Sequence, residues 1–245
     1  MKGDTSIIQD EVEKFSSMAE EWWDPDGKLK TLHEINPLRL SYITSTFKKH
    51  SDHNSKPIFK DLKILDIGCG GGILSEPLAR LGGKITSIDA SKKNIEVAKT
   101  HSKKQGLKID YINTTAEDLS EKKKESFDMI FCLEIIEHVN NPEGFIKTCI
   151  TMLKPGGIIF ISTMNRTIKS YLLAIIGAEY ILKWLPIGTH SWEKFLKPSE
   201  IDSMVRKNSC RTIDMAGMEY NPLKKEKWSL TSGLDVNYIL TASKD

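Results

Sequence analysis

A chain of 245 residues is long enough for one sizeable α/β domain with embellishments and too short for two comfortable ones. Its 35 Lys and Arg against 33 Asp and Glu give a net charge of +2, which argues against nucleic acid as a partner. Cys69, Cys132, Cys149 and Cys210 are scattered without a Cys-x-x-Cys pair, so neither a zinc site nor a disulfide framework is indicated. Free thiols suit a reducing cytoplasm. Residues 1–15 are charged and have neither the apolar core of a signal peptide nor the character of a transit peptide, and no stretch reaches membrane-spanning length. The expectation is a soluble intracellular protein.

Taken in chain order, residues 1–60 read as a helical and irregular N-terminal cap. Trp22-Trp23-Asp24-Pro25 places two large aromatics before a turn. Leu32-His33-Glu34-Ile35-Asn36-Pro37-Leu38-Arg39 then puts an arginine at the start of an amphipathic helix. One reading makes the tryptophans core packing and Arg39 a solvated charge. The other makes the segment a lid over a cleft, with Arg39 forking onto a ligand carboxylate. After a polar linker at 51–57, apolar runs and helical patterns alternate, as a parallel sheet with covering helices requires. Strand-like runs fall at 63–67, 84–88, 109–113, 127–133 and 158–163, with weaker ones near 211–217 and 235–241. Helical patterns fall at 72–81, 92–105, 141–153 and 198–207. Asn141-Pro142 and Lys154-Pro155-Gly156-Gly157 punctuate the third of these helices at its start and finish. The order predicts a doubly wound α/β fold whose seven-stranded, mostly parallel sheet ends in an antiparallel pair. Its ligand belongs at the carboxyl ends of the strands. The single domain divides into the cap (1–60), a cofactor-binding core (61–163), an insertion (164–197) and the C-terminal part of the sheet (198–245).

The first strand ends in Leu65-Asp66-Ile67-Gly68-Cys69-Gly70-Gly71-Gly72, an acid followed by glycines at alternate positions. Glycine adopts turn dihedrals that other residues resist and lets a ligand touch bare backbone at a helix N-terminus. Asp89 ends the next strand, where a carboxylate can accept hydrogen bonds from ribose hydroxyls. These features predict a nucleoside pocket. The dinucleotide fingerprint places its third glycine three residues after its second, and those positions here are Ile73 or Ser75, which disfavours an oxidoreductase. Asp66-x-Gly68-x-Gly70-x-Gly72 instead resembles the first motif of S-adenosylmethionine-dependent methyltransferases. In that motif the loop holds the methionyl end of the cofactor and the acid supports its ammonium group. Glu117, in Ala116-Glu117-Asp118-Leu119 after the third strand, either accepts from an adenine amino group or caps the following helix.

Glu134-Ile135-Ile136-Glu137-His138-Val139 leaves the carboxyl end of the fourth strand, where a substrate would sit beside the cofactor. If Glu134 opens a helical turn, Glu137 and His138 follow three and four residues later on the same face. Three roles stay open: a divalent-ion site suited to Mg²⁺ or Mn²⁺, a general base in His138, and a solvated helix N-terminus. An unperturbed phenol has a pKa of about 10, so either a cation or a base would serve transfer to a phenolic oxygen. After the fifth strand, Tyr171-Leu172-Leu173-Ala174-Ile175-Ile176-Gly177-Ala178 and Tyr180-Ile181-Leu182-Lys183-Trp184-Leu185 form a nearly apolar helical insertion. A buried helix is the default, but an apolar helix ending in Lys183 and Trp184 also suits a membrane interface or a cleft for an isoprenoid tail.

Together these residues resemble the ubiquinone-biosynthesis O-methyltransferases over nearly the whole chain. The resemblance is carried by Trp22-Trp23-Asp24, Ile35-Asn36-Pro37-Leu38-Arg39-Leu40, the glycine loop and Leu133-Glu134-Ile135-Ile136-Glu137-His138-Val139. It continues in Leu153-Lys154-Pro155-Gly156-Gly157, Ser162-Thr163-Met164-Asn165-Arg166, Gly177-Ala178-Glu179-Tyr180-Ile181-Leu182, Gly188-Thr189-His190 and Gly233-Leu234-Asp235-Val236-Asn237-Tyr238. The resemblance implies the class I methyltransferase fold and methylation of a phenolic hydroxyl on polyprenyl-hydroxyphenol and demethylubiquinol precursors. It implies that Arg39, Gly68, Asp89 and Leu133 contact S-adenosylmethionine and that Glu134, Glu137 and His138 bind Mg²⁺. The family commonly has methionine or serine where this chain has Leu133. A lipid-tailed acceptor implies docking on the inner face of the cell membrane through residues 171–185, and admits a complex with other enzymes of the pathway. The alternatives are methylation of another lipid or amphiphile, and a non-catalytic module that binds cofactor and lipid.

Overall fold

The computed structural model describes residues 6–53, 55–173, 191–221 and 227–245. Helices α1 (Gln9–Ser17) and α2 (Lys30–His50) precede strand β1 (Lys63–Ile67). The chain then runs α3 (Ser75–Arg80), β2 (Lys84–Asp89), α4 (Lys92–Lys104), β3 (Asp110–Asn113), α5 (Ala116–Ser120) and β4 (Phe127–Leu133). After α6 (Pro142–Met152) come β5 (Leu153–Met164), α7 (Ile168–Ser170) and α8 (Pro198–Lys207). Strands β6 (Cys210–Tyr220), β7 (Trp228–Thr231) and β8 (Asn237–Lys244) complete it. Local chemistry sets several of these starts. Ser91, Thr115 and Asn141 accept the N3 amide of α4, α5 and α6, and Pro142 and Pro198 sit in the first turns of α6 and α8.

The sheet has eight strands in the order β3-β2-β1-β4-β5-β8-β6-β7, one more than the seven expected. The additional strand, β7, is four residues long and pairs antiparallel with β6. Trp228-Ser229-Leu230-Thr231 is too short to carry a period of its own, and Lys224-Lys225-Glu226-Lys227 just before it masks the pattern. Strands β1 to β5 are parallel to their neighbours among themselves, whereas β8 is antiparallel to both β5 and β6. Connections from β1 and β4 leave in opposite directions, which opens a crevice at their carboxyl ends. The helix expected at 72–81 is shorter, because the glycine loop continues to Leu74. Arg39 lies well inside α2 rather than at its start, and Pro37 is accommodated within the same helix. Of the apolar insertion expected at 171–185, residues 171–173 extend α7 and the rest lies outside the described residues.

Alternate residues of the central strands feed two cores. Leu65, Ile130, Cys132, Ile159 and Ile161 pack toward α5, α6 and α8, while Ile64, Met129, Phe131, Ile158 and Phe160 pack toward α2 and α3. Phe160 is fully buried, stacks on Phe131 at 5.0 Å and meets the Tyr42 ring of α2 edge-on at 6.4 Å. This contact seats α2, and through it Arg39, over the sheet. Phe160→Ala is expected to cost about 3–5 kcal/mol of stability, read as a lower urea midpoint, with Phe160→Leu losing less.

Candidate functional site

The loop after β1 is shaped by left-handed backbone at Gly68 (φ 70°), Gly70 (φ 52°) and Gly72 (φ 89°). At Gly70 a side chain is excluded twice over, because an added Cβ would lie 2.2 Å from the Trp22 ring. Trp22 donates to Asn94 Oδ1 at 3.0 Å, and Trp23 donates to the Gly71 carbonyl at 2.9 Å while stacking on His101 at 3.5 Å. Asn36 of α2 donates to the Ile73 carbonyl. The N-terminal segment is therefore fastened onto the loop, and its tryptophans both pack and cover.

Two acids underlie the loop. Asp66 is buried at the end of β1, where Ser75 Oγ donates to it at 2.6 Å and Ser87 Oγ in turn donates to Ser75. Burial pushes its pKa up to about 7. Asp89 ends β2 and accepts from Gly70 N at 2.9 Å, Ser91 N at 2.8 Å and Asn94 Nδ2 at 3.2 Å. Burial raises its pKa as well, against the lowering effect of those backbone donors. Glu117 does not cap α5, since Thr115 does. Its Oε1 accepts Ser6 N at 3.3 Å, and its Oε2 is buried without a hydrogen-bond partner. Across the crevice Arg39 is 6% exposed, Nη2 donates to Glu134 Oε1 at 2.6 Å, and Nε is buried and unpartnered.

At the end of β4, Leu133 lines the crevice and Glu134 turns into left-handed backbone (φ 55°). Glu134 accepts from Arg39, from Ser162 Oγ at 2.7 Å and from Asn237 Nδ2 at 3.2 and 3.3 Å. Only the short turn Ile136–His138 is helical, so the expected shared face does not form. Glu137 is buried beside the Thr163 hydroxyl, and burial, then the neighbouring Glu134 carboxylate, raise its pKa. His138 Nδ1 lies 3.1 Å from Glu11 Oε2, and the Phe15 ring meets the imidazole edge-on at 5.2 Å. The hydrogen bond to His138, ahead of the other interactions, holds Glu11 down to about 2.

Of the three residues expected to bind Mg²⁺ together, Glu134 turns to Arg39, Ser162 and Asn237, and His138 turns to Glu11. Both carboxylate oxygens of Glu137 are buried without a hydrogen-bond partner, and among the described residues no group of three His, Cys, Asp or Glu is arranged to hold a metal ion. The sequence reading also missed Glu11, Ser162 and Asn237. Glu11 had no signal, because it lies 127 residues from His138. Asn237 stood inside a noted motif without a role.

One cavity of about 530 Å³ runs from the glycine loop, past Arg39, Glu117, Leu133, Glu134 and His138, to Met164, Met218, Tyr220, Trp228 and Asn237. The buried unsatisfied groups that line it include acceptors at Glu117, Glu137 and Asn237 and donors at Arg39 and Trp228.

The raised Asp66 pKa ties stability to pH. Unfolded, the carboxyl titrates near its ordinary value of about 3.9. Folding therefore favours the protonated form, and this contribution is full below about pH 4 and lost as the pH rises to about 7. Urea midpoints of the wild type, relative to Asp66→Asn, are expected to fall across that window. Parallel profiles for the two proteins would show that Asp66 ionises freely in the fold.

Residues 65–161 match a family model described as a methyltransferase domain. The ubiquinone biosynthesis O-methyltransferase of Pelagibacter ubique is 55% identical over 236 residues, covering 96% of this chain and 97% of the relative. That of Parvibaculum lavamentivorans is 49% identical, covering 98% and 95%. Among solved structures, magnesium protoporphyrin IX methyltransferase from Synechocystis with bound SAH superposes with a TM-score of 0.67 at 16% identity, covering 96% of this chain and 98% of that one. The plantazolicin methyltransferase BamL, in complex with a triazolic desmethylPZN analog and SAH, gives 0.65 at 16%, covering 97% and 99%. At that identity the two structures speak to the fold alone, which is the class I methyltransferase fold. Sequence identity near half over almost the full length settles the family: the chain belongs to the ubiquinone biosynthesis O-methyltransferases, which use S-adenosylmethionine.

Proposed function

We propose that the chain methylates a ring hydroxyl of polyprenylated phenol and quinol precursors of ubiquinone. The observation that carries this reading is the single cavity joining the glycine loop to an apolar wall, with His138 between them. Its polar fittings suit S-adenosylmethionine. The unsatisfied Glu117 oxygen suits an adenine amino group, and the unsatisfied Arg39 Nε suits a carboxylate. Asp89 keeps lone pairs for ribose hydroxyls beyond those its protein donors use. The backbone of Gly68, Gly70 and Gly72, with Asp66 beneath, receives the methionyl end, and Leu133 supplies apolar contact.

When bound, the cofactor supplies a sulfonium methyl whose S–C bond breaks as a new O–C bond forms. The chain's own residues position the acceptor and take its proton. His138 is the base, and Glu11, held ionised, orients the imidazole through Nδ1. Glu134 fixes Arg39 at the cofactor side, and Glu137 keeps its buried place behind the turn. Glu134, Glu137 and His138 would be the residues to hold a divalent cation, which would favour the phenolate form of the acceptor. His138→Ala is expected to lower kcat by roughly 10²- to 10⁴-fold on a short-chain prenyl catechol while calorimetry shows cofactor affinity retained. Undiminished turnover would remove His138 from the chemistry.

A membrane-borne acceptor requires an approach to the bilayer. Beside the cavity mouth Ile168 is 77%, Leu172 51% and Leu173 54% exposed, and Leu173 with Lys169 also lines the cavity. Among the described residues no helix is long and apolar enough to cross a membrane. This patch is proposed to dock peripherally on the cytoplasmic face. The double variant Ile168→Asp/Leu172→Asp, at exposed positions outside the cavity lining, is expected to sediment less with liposomes and to keep its turnover of a water-soluble catechol. Equal sedimentation would make the patch ordinary surface.

A further inference from the structure

We infer that Asn237 is a specificity-determining residue for the acceptor. Its side-chain oxygen accepts a hydrogen bond from the ring hydroxyl adjacent to the one that is methylated. The inference rests on the O-methylation reading above and names the feature of the acceptor that the cavity recognises.

Sheet register sets the position. Asn237 opens β8, opposite Met164 of β5 on one side and Met218 of β6 on the other. Tyr220, two residues beyond Met218, pairs with Trp228 of β7. Directly paired residues share a face, as do alternate residues along a strand. Ser162, Met164, Asn237, Met218, Tyr220 and Trp228 therefore form one row on the α2 side of the sheet. All of them except Ser162 line the cavity. The row runs from polar to apolar. Ser162 and Asn237 touch the Glu134 carboxylate at one end, and the Tyr220 and Trp228 rings pack together at 5.3 Å at the other.

The amide of Asn237 has a determined orientation. Its nitrogen donates to both oxygens of Glu134, and a flipped amide would set oxygen against a carboxylate that only accepts. Oδ1 therefore points away from Glu134, and it is buried with no hydrogen-bond partner in a residue only 7% exposed. Leaving a buried carbonyl unsatisfied is unfavourable, so this atom calls for a donor that arrives with a ligand. Its ladder neighbours are both methionines, unbranched side chains that repack readily, so an incoming ring can displace them and reach Oδ1. A ring with two adjacent hydroxyls meets the requirement. One hydroxyl gives its proton to His138 and receives the methyl; the other keeps its hydrogen and donates to Asn237.

The test compares kcat/KM for a short-chain prenyl catechol and for the matching prenyl monophenol. Wild type is expected to favour the catechol by roughly ten- to hundredfold, and Asn237→Leu to compress that preference to about threefold or less. Loosening Glu134 or Arg39 would weaken both acceptors alike and leave the ratio unmoved, so the ratio separates recognition from a merely structural role. Asn237→Ser carries the same measurement should the leucine variant not fold. An unchanged ratio in the folded variants, or no preference in wild type, overturns the assignment while methyl transfer stands. Transfer by wild type to neither phenol overturns the O-methylation reading itself.

Discussion

The carboxylate of Glu134 is the joint on which the site depends. It gathers Arg39 from α2, Ser162 from β5 and Asn237 from β8, elements brought together from the two ends of the chain. Its backbone is left-handed, a conformation that costs a non-glycine residue about 1–3 kcal/mol and persists only where the surroundings over-determine it. Here they do, because the Glu134 amide also donates to the Ser162 carbonyl at 3.0 Å. The turn points the carboxylate back across the sheet, away from the following helical turn. An ion pair this well covered is weak evidence for stability, since desolvation offsets most of its attraction. What it supplies is position: losing either partner leaves a buried charge uncompensated, so Arg39 has one place to be.

The cofactor end works by the opposite logic. Burial opposes the ionisation of both Asp66 and Asp89, and among the described residues their hydrogen bonds come from hydroxyl and amide donors. A ligand ammonium group near Asp66 would favour the carboxylate over the acid and reverse the shift that burial imposes. The loop is therefore held by hydroxyl and amide donors and is electrostatically disposed toward a cationic ligand. This preference follows from burial and charge, and so would distinguish a sulfonium nucleoside from a pyrophosphate on chemistry as well as on glycine spacing.

Strands β1 to β5 were legible because each is an apolar run bounded by turn residues, and the glycine loop because left-handed backbone leaves few residue choices. Asp89 could be placed for the same reason, as the acid at a strand end beside that loop. The shared helical face expected for Glu134, Glu137 and His138 rested on a single assumption, that the chain leaves β4 as a helix. Periodicity cannot reveal a left-handed residue at an acidic position, and the partners that impose it lie 95 residues upstream and 103 downstream. Glu11 and Asn237 were invisible on the same ground: nothing local marks a side chain whose meaning comes from a partner on the far side of the fold.

The graded wall of the cavity also fixes which way an amphiphile enters. Each buried methylene contributes about 0.8 kcal/mol, so several isoprene units strongly favour the Met218, Tyr220 and Trp228 end and the exposed apolar turn at residues 171–173. A hydroxylated ring would find there the Trp228 indole N–H but no acceptor to match Asn237 and His138, which at the Glu134 end can use its hydrogens. Reversing the molecule would bury hydrocarbon against a carboxylate and leave hydroxyls among apolar side chains, penalties that add. Orientation thus follows from the polarity gradient before any specific contact forms. On the proposed reading, the tail that holds the substrate in a bilayer also delivers its reacting oxygen to the cofactor side of the cavity.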